Sequence, residues 1–301
     1  MTESPRHPLF PDASLEMTGK DTPALESAAL APGTRVNITH LATEDLSARV
    51  EAASALRRLG LTPVPHLSAR RLRSRSELAE TLAALRDVRA AEDVFVVSGD
   101  PATPHGPYDD ALAVIRSGLL EEYGVRHVGI AGYPEGHPAI DGPVLWSALE
   151  AKAAALREQG MAGGVITQFG FAVDPVLEWL TETRRRGVHL PVRIGVPGPA
   201  GVRRLLSYAR RFGVTTSTGI ARKYGFSLTH LMGTAGPDRF LRELAAGLSP
   251  EAHGEVGLHF YTFGGLAATS SWLTASGLTA AGAASLPPQS PRSPAARTTA
   301  G

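Results

Sequence analysis

The sequence predicts an α/β protein built as a closed (β/α)8 barrel, the TIM-barrel fold. Eight short runs rich in apolar and β-branched residues alternate with longer segments in which apolar residues recur at helical spacing. Strands that alternate with helices form parallel sheets, and eight of them favour a closed barrel over an open sheet. The 301 residues also suit a single barrel of about 250 residues with short extensions.

The predicted strands end where the sequence changes from apolar to polar or aromatic residues. They cover residues 14–17, 35–39, 63–67, 94–98, 127–131, 164–168, 192–195 and 257–262. Amphipathic helices are predicted over residues 45–59, 76–90, 107–119, 144–159, 175–186 and 201–212. Thr43 and Ser74 lie in the cap regions of the first two helices. Residues 216–250 look helical and are predicted to form an excursion before the last strand.

The alternating pattern is confined to one stretch of the chain, so one barrel domain is predicted over residues 13–283. Residues 1–12 form a Pro-rich, polar arm that is expected to be flexible. Residues 284–301 form a tail rich in Pro, Ser and Ala. This tail offers little apolar surface to bury and is expected to be disordered.

Composition excludes several classes of protein. The formal net charge is +1, so nothing draws the chain as a whole to nucleic acid or to an anionic membrane. Cysteine is absent, which excludes disulfides, thiolate metal sites and cysteine nucleophiles. No signal-peptide core is present, and no apolar run reaches the roughly 18 residues of a membrane span. We therefore expect a cytoplasmic protein with no membrane or nucleic-acid partner, and a homo-oligomer is one option for its assembly.

An acidic residue lies inside the first predicted strand. Glu16 is flanked by Leu15 and Met17, and a carboxyl in an apolar strand is costly to bury unless something pairs with it or uses it. Burial is expected to raise its pKa toward the range in which a carboxyl can deliver a proton near neutral pH. The alternative is a salt-bridged carboxylate at the barrel rim, paired with Lys20.

Polar residues also follow the ends of later strands. Gly99 lets the backbone approach a ligand, and Asp100 beside it can accept hydrogen bonds, although Gly-Asp is also a common turn. Tyr133 and His137 frame a turn that two prolines make rigid. Gln168 ends the sixth strand, and its side-chain amide can donate hydrogen bonds to a ligand and accept them from it. The alternative is a glutamine that caps the barrel rim. Because the carboxyl ends of barrel strands meet at one mouth, these residues predict a ligand site.

Several common site patterns are missing from the sequence. No dinucleotide-binding glycine loop follows a strand, and neither a P-loop nor a nucleophile elbow is present. His66 and His137 are possible metal ligands, but no two histidines lie a helical turn apart. The sequence therefore predicts no metal site.

In order and spacing, these segments resemble the methylenetetrahydrofolate reductase family, flavin-dependent (β/α)8 enzymes of one-carbon metabolism. The most specific matches are Tyr-Pro-Glu-Gly-His-Pro at 133–138 and Ile-Thr-Gln-Phe at 166–169, within a similarity that runs from about residue 14 to about residue 266. The resemblance implies transfer of hydride from NADH or NADPH, through FAD, to 5,10-methylenetetrahydrofolate. The opposite direction, oxidation of 5-methyltetrahydrofolate in a demethylation pathway, is equally compatible with the sequence.

The resemblance also implies roles for individual residues. Glu16 matches the catalytic acid, and Asp100 matches a catalytic aspartate close to both flavin and folate. Positions that bind FAD in the family correspond to Thr39, His40, His66, Ser98, Gly99, Asp100, Tyr133 and His137. Positions that bind the folate correspond to Asp100, Gln168 and Phe169.

The chain departs from the family pattern at several of these positions. Ser98 stands where an arginine usually precedes Gly-Asp, and Phe263-Gly264-Gly265 stands where Leu-Asn-Arg is usual. Loss of a cation beside the FAD phosphates motivates one alternative, a flavin-free reductase that passes hydride directly from NAD(P)H to folate. Another alternative is a folate-binding barrel without catalysis.

Removal of residues 284–301 is expected to leave the melting temperature nearly unchanged, because the tail contributes little buried apolar surface. Scanning calorimetry of the shortened and full chains tests this. A control truncation from residue 257 onward removes the last predicted strand and should abolish cooperative unfolding. A drop of several degrees on removal of the tail alone would show that the tail docks on the barrel.

Overall fold

A computed structural model describes residues 13–211 and 234–278 and confirms the predicted barrel. The strands are β1 (Ala13–Met17), β2 (Arg35–Ile38), β3 (Thr62–Ser68), β4 (Asp93–Val97), β5 (His127–Gly132), β6 (Ala162–Phe169), β7 (Val192–Pro197), β8 (Ala200–Gly201), β9 (Thr234–Ala235) and β10 (Val256–Tyr261). The barrel closes in the order β1-β10-β7-β6-β5-β4-β3-β2, with parallel pairing between all neighbours. The two-residue strands β8 and β9 form a separate antiparallel pair.

Helices surround the barrel. They are α1 (Leu46–Arg58), α2 (Arg75–Asp87), α3 (Ala111–Ile115), α4 (Leu119–Glu122), α5 (Gly142–Glu158), α6 (Val173–Arg185), α7 (Val202–Arg211), α8 (Asp238–Gly247), α9 (Pro250–His253) and α10 (Leu266–Ala275). Between β1 and β2 the connection consists of two 3-10 turns, Gly19–Ala24 and Glu26–Ala28. Within the described ranges, no helix combines the length and apolar character needed to cross a bilayer.

The prediction of one helix over residues 107–119 is wrong. The chain continues as a loop to Asp110, whose carboxylate accepts a hydrogen bond from the backbone N–H of Ala113 at 2.9 Å and so begins the short helix α3. Gly118, with φ of 77°, separates α3 from α4. A left-handed residue ends a helix, and glycine adopts that conformation at no steric cost. Two short helices therefore replace one long one.

Ser74 caps α2 as predicted, since its hydroxyl accepts from the backbone N–H of Glu77 at 3.0 Å. The N-cap position of the first helix is Asp45, two residues after Thr43, and the Asp45 side chain makes no capping hydrogen bond. In the predicted excursion over 216–250, residues from 234 onward contain β9, α8 and the start of α9. The rest of that excursion, the arm at 1–12 and the tail at 284–301 lie outside the described residues.

The interior of the barrel is filled around Phe95. Its neighbours along β4, Val94 and Val96, are fully buried beneath the helices, while Phe95 packs inward with Val64 and Ile166. A Cβ added at Gly129 would lie 2.6 Å from the Phe95 ring, so the glycine makes room for that ring. The ring also lies against the imidazole of His66, with 4.8 Å between ring centroids. Phe95 thus supports the floor beneath the barrel mouth.

A polar group occupies the opposite, amino-terminal end of the strands. Arg35 donates to Asp93 at 2.8 Å, and the same Arg35 nitrogen lies 3.2 Å from Nδ1 of His127. Burial and the Arg35 charge lower the pKa of His127 to about 4, although Asp93 acts in the opposite direction. His127 is therefore neutral at pH 7, and its neutral ring adds no third charge to the Arg35–Asp93 pair.

Phe95→Ala should lower the free energy of unfolding by about 3–5 kcal/mol, the usual cost of emptying a buried aromatic site. Urea unfolding followed by circular dichroism measures the change. The matched control is Leu59→Ala, because Leu59 is 40% exposed and its truncation opens no interior cavity. A loss below about 1 kcal/mol for Phe95→Ala would mean that the interior repacks, contrary to this account.

Candidate active site

The predicted site residues come together at one end of the barrel. Because all eight strands are parallel, their carboxyl ends share one mouth. Glu16 is the fourth of five residues in β1, and Gln168 is the penultimate residue of β6. The remaining predicted residues lie at or just beyond the ends of β2, β3, β4 and β5: Thr39, His40, His66, Ser98, Gly99, Asp100, Tyr133 and His137.

The Glu16 carboxyl is held by two hydrogen-bonding partners. Thr39 Oγ1 donates to Oε1 at 2.6 Å, and Nε2 of His259 lies 3.4 Å from Oε2. The carboxyl side chain is 20% exposed, so a ligand in the mouth can still reach it. Among the described residues, the Glu16 carboxyl is within ion-pair distance of His259, and no ion pair joins it to Lys20, the partner in the alternative interpretation. Glu16 is therefore a partly buried carboxyl whose two oxygens are contacted by polar side chains.

His259 connects Glu16 to a buried serine. Ser14 Oγ lies 2.9 Å from Nδ1 of His259 and 3.3 Å from the carbonyl oxygen of Leu258. When the hydroxyl donates to Nδ1, the neutral ring carries its proton on Nε2 and donates it to Glu16. When the hydroxyl donates to the carbonyl oxygen of Leu258 instead, Nδ1 of His259 carries a proton and donates it to Ser14 Oγ. The contact between Nε2 and Glu16 is then a hydrogen bond only if a second proton lies between these two atoms. The hydroxyl orientation is thus coupled to the protonation of the Glu16–His259 pair.

The pKa of Glu16 corrects the prediction from the sequence. Burial raises the pKa of this carboxyl, but the hydrogen bond from His259, the charges of protonated His66 and His259, and the hydrogen bond from Thr39 together outweigh burial. The pKa lies below its ordinary value, and Glu16 is a carboxylate at neutral pH. The prediction of a raised pKa was wrong because sequence indicated the burial of Glu16 without the donors brought to it by β2 and β10.

His66 lies beneath this pair and is neutral at pH 7. Burial lowers its pKa to about 4, although the nearby Glu16 carboxylate raises it. Nε2 of the neutral ring accepts from Asn37 Nδ2, with 3.2 Å between the nitrogens. Neutral His66 adds no charge beside Glu16 at pH 7, so its charge favours the Glu16 carboxylate only in acid, once the ring is protonated.

A buried arginine lies beside His40. Arg49 on α1 is 5% exposed, and its Nη1 donates to the carbonyl oxygen of His66 at 3.4 Å. Among the described residues, Nε of Arg49 and Nδ1 of His40 are buried without hydrogen-bonding partners. Burial, followed by the charges of Arg49 and Arg71, lowers the pKa of His40 to about 3. His40 is therefore neutral and presents an unpaired nitrogen in a cationic environment.

The Ser-Gly-Asp segment after β4 forms the next part of the rim. Gly99 has φ of 89°, a conformation that favours glycine, and a Cβ there would lie only 3.2 Å from Cβ of Ser68, so a side chain at this position would be strained. The carboxylate of Asp100 is 75% exposed and forms an ion pair with Arg71, whose side chain is only 14% exposed. Arg71 lies in the 3-10 turn that follows β3. Arg71 thus places a cation at this rim, and it comes from the loop after β3 and not from the loop after β4, where Ser98 replaces the usual arginine.

Tyr133 and His137 pack edge to face, with ring centroids 5.4 Å apart. Nδ1 of His137 accepts from the backbone N–H of Ala139 at 3.2 Å, which fixes the ring on its turn. Burial raises the pKa of Tyr133 and lowers that of His137, so both rings are neutral at pH 7.

The two predicted folate-binding residues differ in exposure. Gln168 is half-buried, and its side-chain oxygen accepts from the backbone N–H of Phe169 at 3.1 Å, so this contact uses the amide oxygen and not the N–H donors. Phe169 is 1% exposed and packs against Phe171, Tyr261 and Phe263. The structure therefore brings Gln168 to the mouth and leaves Phe169 in the wall behind it.

The loop after β10 explains one departure from the usual pattern. A Cβ at Gly264 would lie 1.9 Å from the carbonyl oxygen of Pro199, so the loop that follows β7 excludes any side chain there. Phe263 stacks on Tyr208, with 4.1 Å between ring centroids. An aromatic stack and a backbone contact therefore occupy this part of the rim.

The sequence pattern of the family described as methylenetetrahydrofolate reductase matches residues 25–217. The chain belongs to this family. Methylenetetrahydrofolate reductase 2 of Saccharomyces cerevisiae (strain ATCC 204508 / S288c) is 28% identical over 130 residues, which are 40% of this chain. The aligned part spans only 20% of the yeast protein. The family match includes β2 to β7 and excludes β1 and β10, and the activity of the whole yeast protein does not transfer with it.

Similarity to solved structures lies in the fold. A protein from Clostridium thermocellum, described as uncharacterized and as binding two copies of 5-methyl-5,6,7,8-tetrahydrofolic acid, aligns with a TM-score of 0.53. The two sequences are 11% identical, and the alignment covers 84% of this chain and 88% of that one. Dihydropteroate synthase of Thermus thermophilus aligns with a TM-score of 0.43 at 13% identity, over 88% of this chain and 93% of that one.

Sequence reasoning about this family member missed the residues that hold the predicted ones. Ser14, Asn37 and His259 are buried polar residues inside strands, and Arg49 is a buried arginine inside a helix. Polar residues at inward-facing strand positions are the signal that could have identified the first three. Arg71 gave no such signal, because its role depends on the approach of two loops.

Thr39→Val should raise the pKa of Glu16, because it removes a donor at 2.6 Å and keeps the side-chain shape. Carbon-13 NMR titration of the glutamate carboxyls measures the change, with the Glu16 signal assigned by its loss in Glu16→Gln. Thr181→Val is the control, because Thr181 Oγ1 donates to Leu177 on an exposed helix face. An unchanged Glu16 pKa would contradict the assigned role of Thr39.

The same substitution should change how the free energy of unfolding depends on pH in acid. A carboxyl whose folded-state pKa lies below its unfolded value adds stability above the unfolded value, and this stability is lost as the pH falls through the folded-state pKa. Thr39→Val raises the folded-state pKa of Glu16, so it should reduce the contribution of Glu16 to the free energy of unfolding at neutral pH.

Proposed function

We propose that this protein interconverts 5,10-methylenetetrahydrofolate and 5-methyltetrahydrofolate, with NADH or NADPH as hydride donor or acceptor. The observation that carries the proposal is the Glu16 carboxyl, 20% exposed at the barrel mouth and held by Thr39 and His259 in a member of this family. The Clostridium thermocellum protein of similar fold binds 5-methyl-5,6,7,8-tetrahydrofolic acid, which supports a folate as the substrate class.

Glu16 is proposed to exchange the proton that opening or closing of the methylene bridge requires. Opening the bridge places a proton on the departing nitrogen, and closing it removes that proton. The ionised Glu16 of the free protein is ready to accept a proton, as closure during oxidation of 5-methyltetrahydrofolate requires. In the reductive direction Glu16 must first be protonated, and exclusion of water by bound substrate favours this by raising its pKa. His259, 3.4 Å away, is positioned to share the proton in either direction.

FAD is the proposed cofactor, and when bound it would carry hydride between the nicotinamide and the folate carbon. The residues present fit it at two places. Gly99 leaves the backbone of its loop without a side chain, and His40 offers a buried nitrogen without a partner among the described residues. Ser98, Asp100, Tyr133 and His137 complete the proposed contacts. Thr39 and His66 are proposed to support this layer, because each already contacts another site residue.

Asp100 and Gln168 are proposed to orient the folate. The Asp100 carboxylate is exposed and anchored by Arg71, so it can accept hydrogen bonds from a pterin ring without moving. Gln168 turns its amide oxygen to Phe169, which leaves N–H donors for the ligand. Phe169 contributes by packing under this rim, because its 1% exposure leaves almost no surface for direct contact.

A flavin-free reductase is a second candidate. The observation in its favour is that Ser98 replaces the arginine expected beside the FAD phosphates, while Arg71 at the same rim forms an ion pair with Asp100. The absorbance spectrum of the purified protein separates the candidates. Flavin absorbance that bleaches on anaerobic mixing with 5-methyltetrahydrofolate supports the first, and turnover without flavin supports the second.

Glu16→Gln should retain flavin binding and slow the folate half-reaction by about 10²–10⁴-fold, the usual contribution of a positioned acid or base. The NADH half-reaction should fall much less, because it moves no proton on folate. Stopped-flow bleaching by NADH and reoxidation by 5,10-methylenetetrahydrofolate measure the two steps, with exposed Glu178→Gln as the matched control.

Asp100→Asn should affect both half-reactions, because Asp100 is proposed to face flavin and folate together.

Equal and modest losses in both steps for Glu16→Gln would reduce Glu16 to a structural carboxylate. Tight folate binding without turnover under any hydride donor would favour a binding protein instead.

A further inference from the structure

The end of the barrel opposite the mouth carries a basic cavity of about 580 Å³. It lies among the carboxyl ends of α1, α2 and α4 and the residues that precede β4 and β5. We infer that this basic cavity binds a small molecule that carries two or more phosphate groups. Its charged and aromatic lining consists of Arg57, Arg86, Arg89, Glu92, Tyr123 and Arg126.

The charge of the basic cavity favours an anion with more than one charge. Four guanidinium groups and one carboxylate leave three net positive charges at its wall. The carboxyl ends of three helices together oppose this by about one and a half charges, so the field stays positive. The volume lies in the range of about 300–1,000 Å³ that is usual for small-molecule sites.

Two of the arginines are braced by protein contacts. Nε of Arg57 donates to the carbonyl oxygen of Arg89 at 2.6 Å, and its Nη2 lies 3.9 Å from the carboxylate of Glu92. The Arg86 guanidinium lies 5.1 Å from the centre of the Tyr123 ring. These contacts hold both cations at the cavity wall, which lowers the entropic cost of binding an anion there.

The other two arginines have uncommitted side chains. In the described part of the chain, the guanidinium groups of Arg89 and Arg126 form no hydrogen bond, ion pair or cation–π contact. Each therefore keeps its donors for a ligand, and arginine binds phosphate oxygens with paired N–H donors. Two braced and two uncommitted guanidinium groups around one cavity can contact two phosphate groups at once.

Interaction with helix ends does not account for all four arginines. Arg57 and Arg86 lie in the last turns of α1 and α2, where a cation is stabilised by the helix dipole. Arg126 instead directly precedes β5, and Arg89 follows α2 with φ of 56°, a conformation that favours glycine or asparagine over arginine. The left-handed backbone at residue 89 is less favourable for arginine than for glycine, so backbone conformation does not account for an arginine there.

The basic cavity is separate from the proposed catalytic mouth. The five residues of β4 lie between them, a distance of about 16 Å at about 3.3 Å per residue. Anion binding at the basic cavity is therefore independent of the proposed folate chemistry and can be measured without turnover.

Inorganic pyrophosphate is the first probe, titrated calorimetrically into the full chain at physiological ionic strength. We expect saturable binding at one site. ADP and adenosine form the second pair of probes: ADP should bind and adenosine should not, and tighter binding of ADP than of pyrophosphate would identify a nucleotide. Absence of pyrophosphate binding, or equal binding of adenosine and ADP, would overturn the inference.

Substitutions locate the site, because pyrophosphate and ADP also resemble part of FAD. Arg89→Gly and Arg126→Ala should each weaken pyrophosphate binding about tenfold, the loss of one charge-assisted contact. Arg89→Gly should also leave the melting temperature unchanged or raised, since glycine suits the left-handed backbone. A structural role for Arg89 predicts the opposite result, a lower melting temperature with unchanged binding.

Arg71→Ala at the mouth and Arg242→Ala on α8 are the matched controls, each removing one positive charge elsewhere. Both should keep pyrophosphate affinity within about twofold, because neither residue lines the basic cavity. Loss of binding in Arg71→Ala with full binding in Arg89→Gly and Arg126→Ala would place the anion at the mouth and refute the inference.

Discussion

Pairing of the first strand with the last strand closes the barrel and builds the proposed site in the same step. The register places Ser14 beside His259, while on the other side of β1 Glu16 lies beside Asn37. Thr262, just after β10, adds a hydrogen bond from its hydroxyl to the backbone oxygen of Glu16 at 2.7 Å. A shift of one residue in this register would turn Glu16 toward the helices, because alternate strand residues face opposite sides.

The Glu16 carboxylate is held by a hydroxyl and an imidazole, groups without a permanent charge, in a partly buried place. A second fixed charge beside Glu16 would need its own solvation in the barrel interior, whereas a hydroxyl and an imidazole provide hydrogen bonds at lower cost. His66 is neutral for the same reason, since burial opposes its protonation. The fixed cations, Arg49 and Arg71, lie further out around His40 and Asp100. The proposed site thus separates the carboxyl proposed to exchange a proton from the permanently charged arginines.

The fold and the residues at the strand ends could be predicted from the sequence, because both depend on local patterns. Apolar runs gave the eight barrel strands, and the change to polar residues placed Glu16 and Gln168 at the same mouth. The pKa of Glu16 could not be predicted in this way, since its donors come from strands distant in sequence. The prediction of one helix over 107–119 failed because the apolar spacing continues through this stretch. Asp110 begins the helix later than that spacing indicates, and Gly118 interrupts it. Arg71 escaped notice because its partner Asp100 lies on another loop.

The closing contact also sets a limit on when the protein can become functional during synthesis. Glu16 and His259 are 243 residues apart, so the carboxylate is made long before its partner. At a translation rate of roughly 5–20 residues per second, it waits about 10–50 seconds on the ribosome before β10 exists. During that time β1 has only one of its two neighbouring strands, and its apolar residues have an unpaired edge. The nascent chain therefore carries an unpaired edge on β1 until β10 is made and the barrel can close.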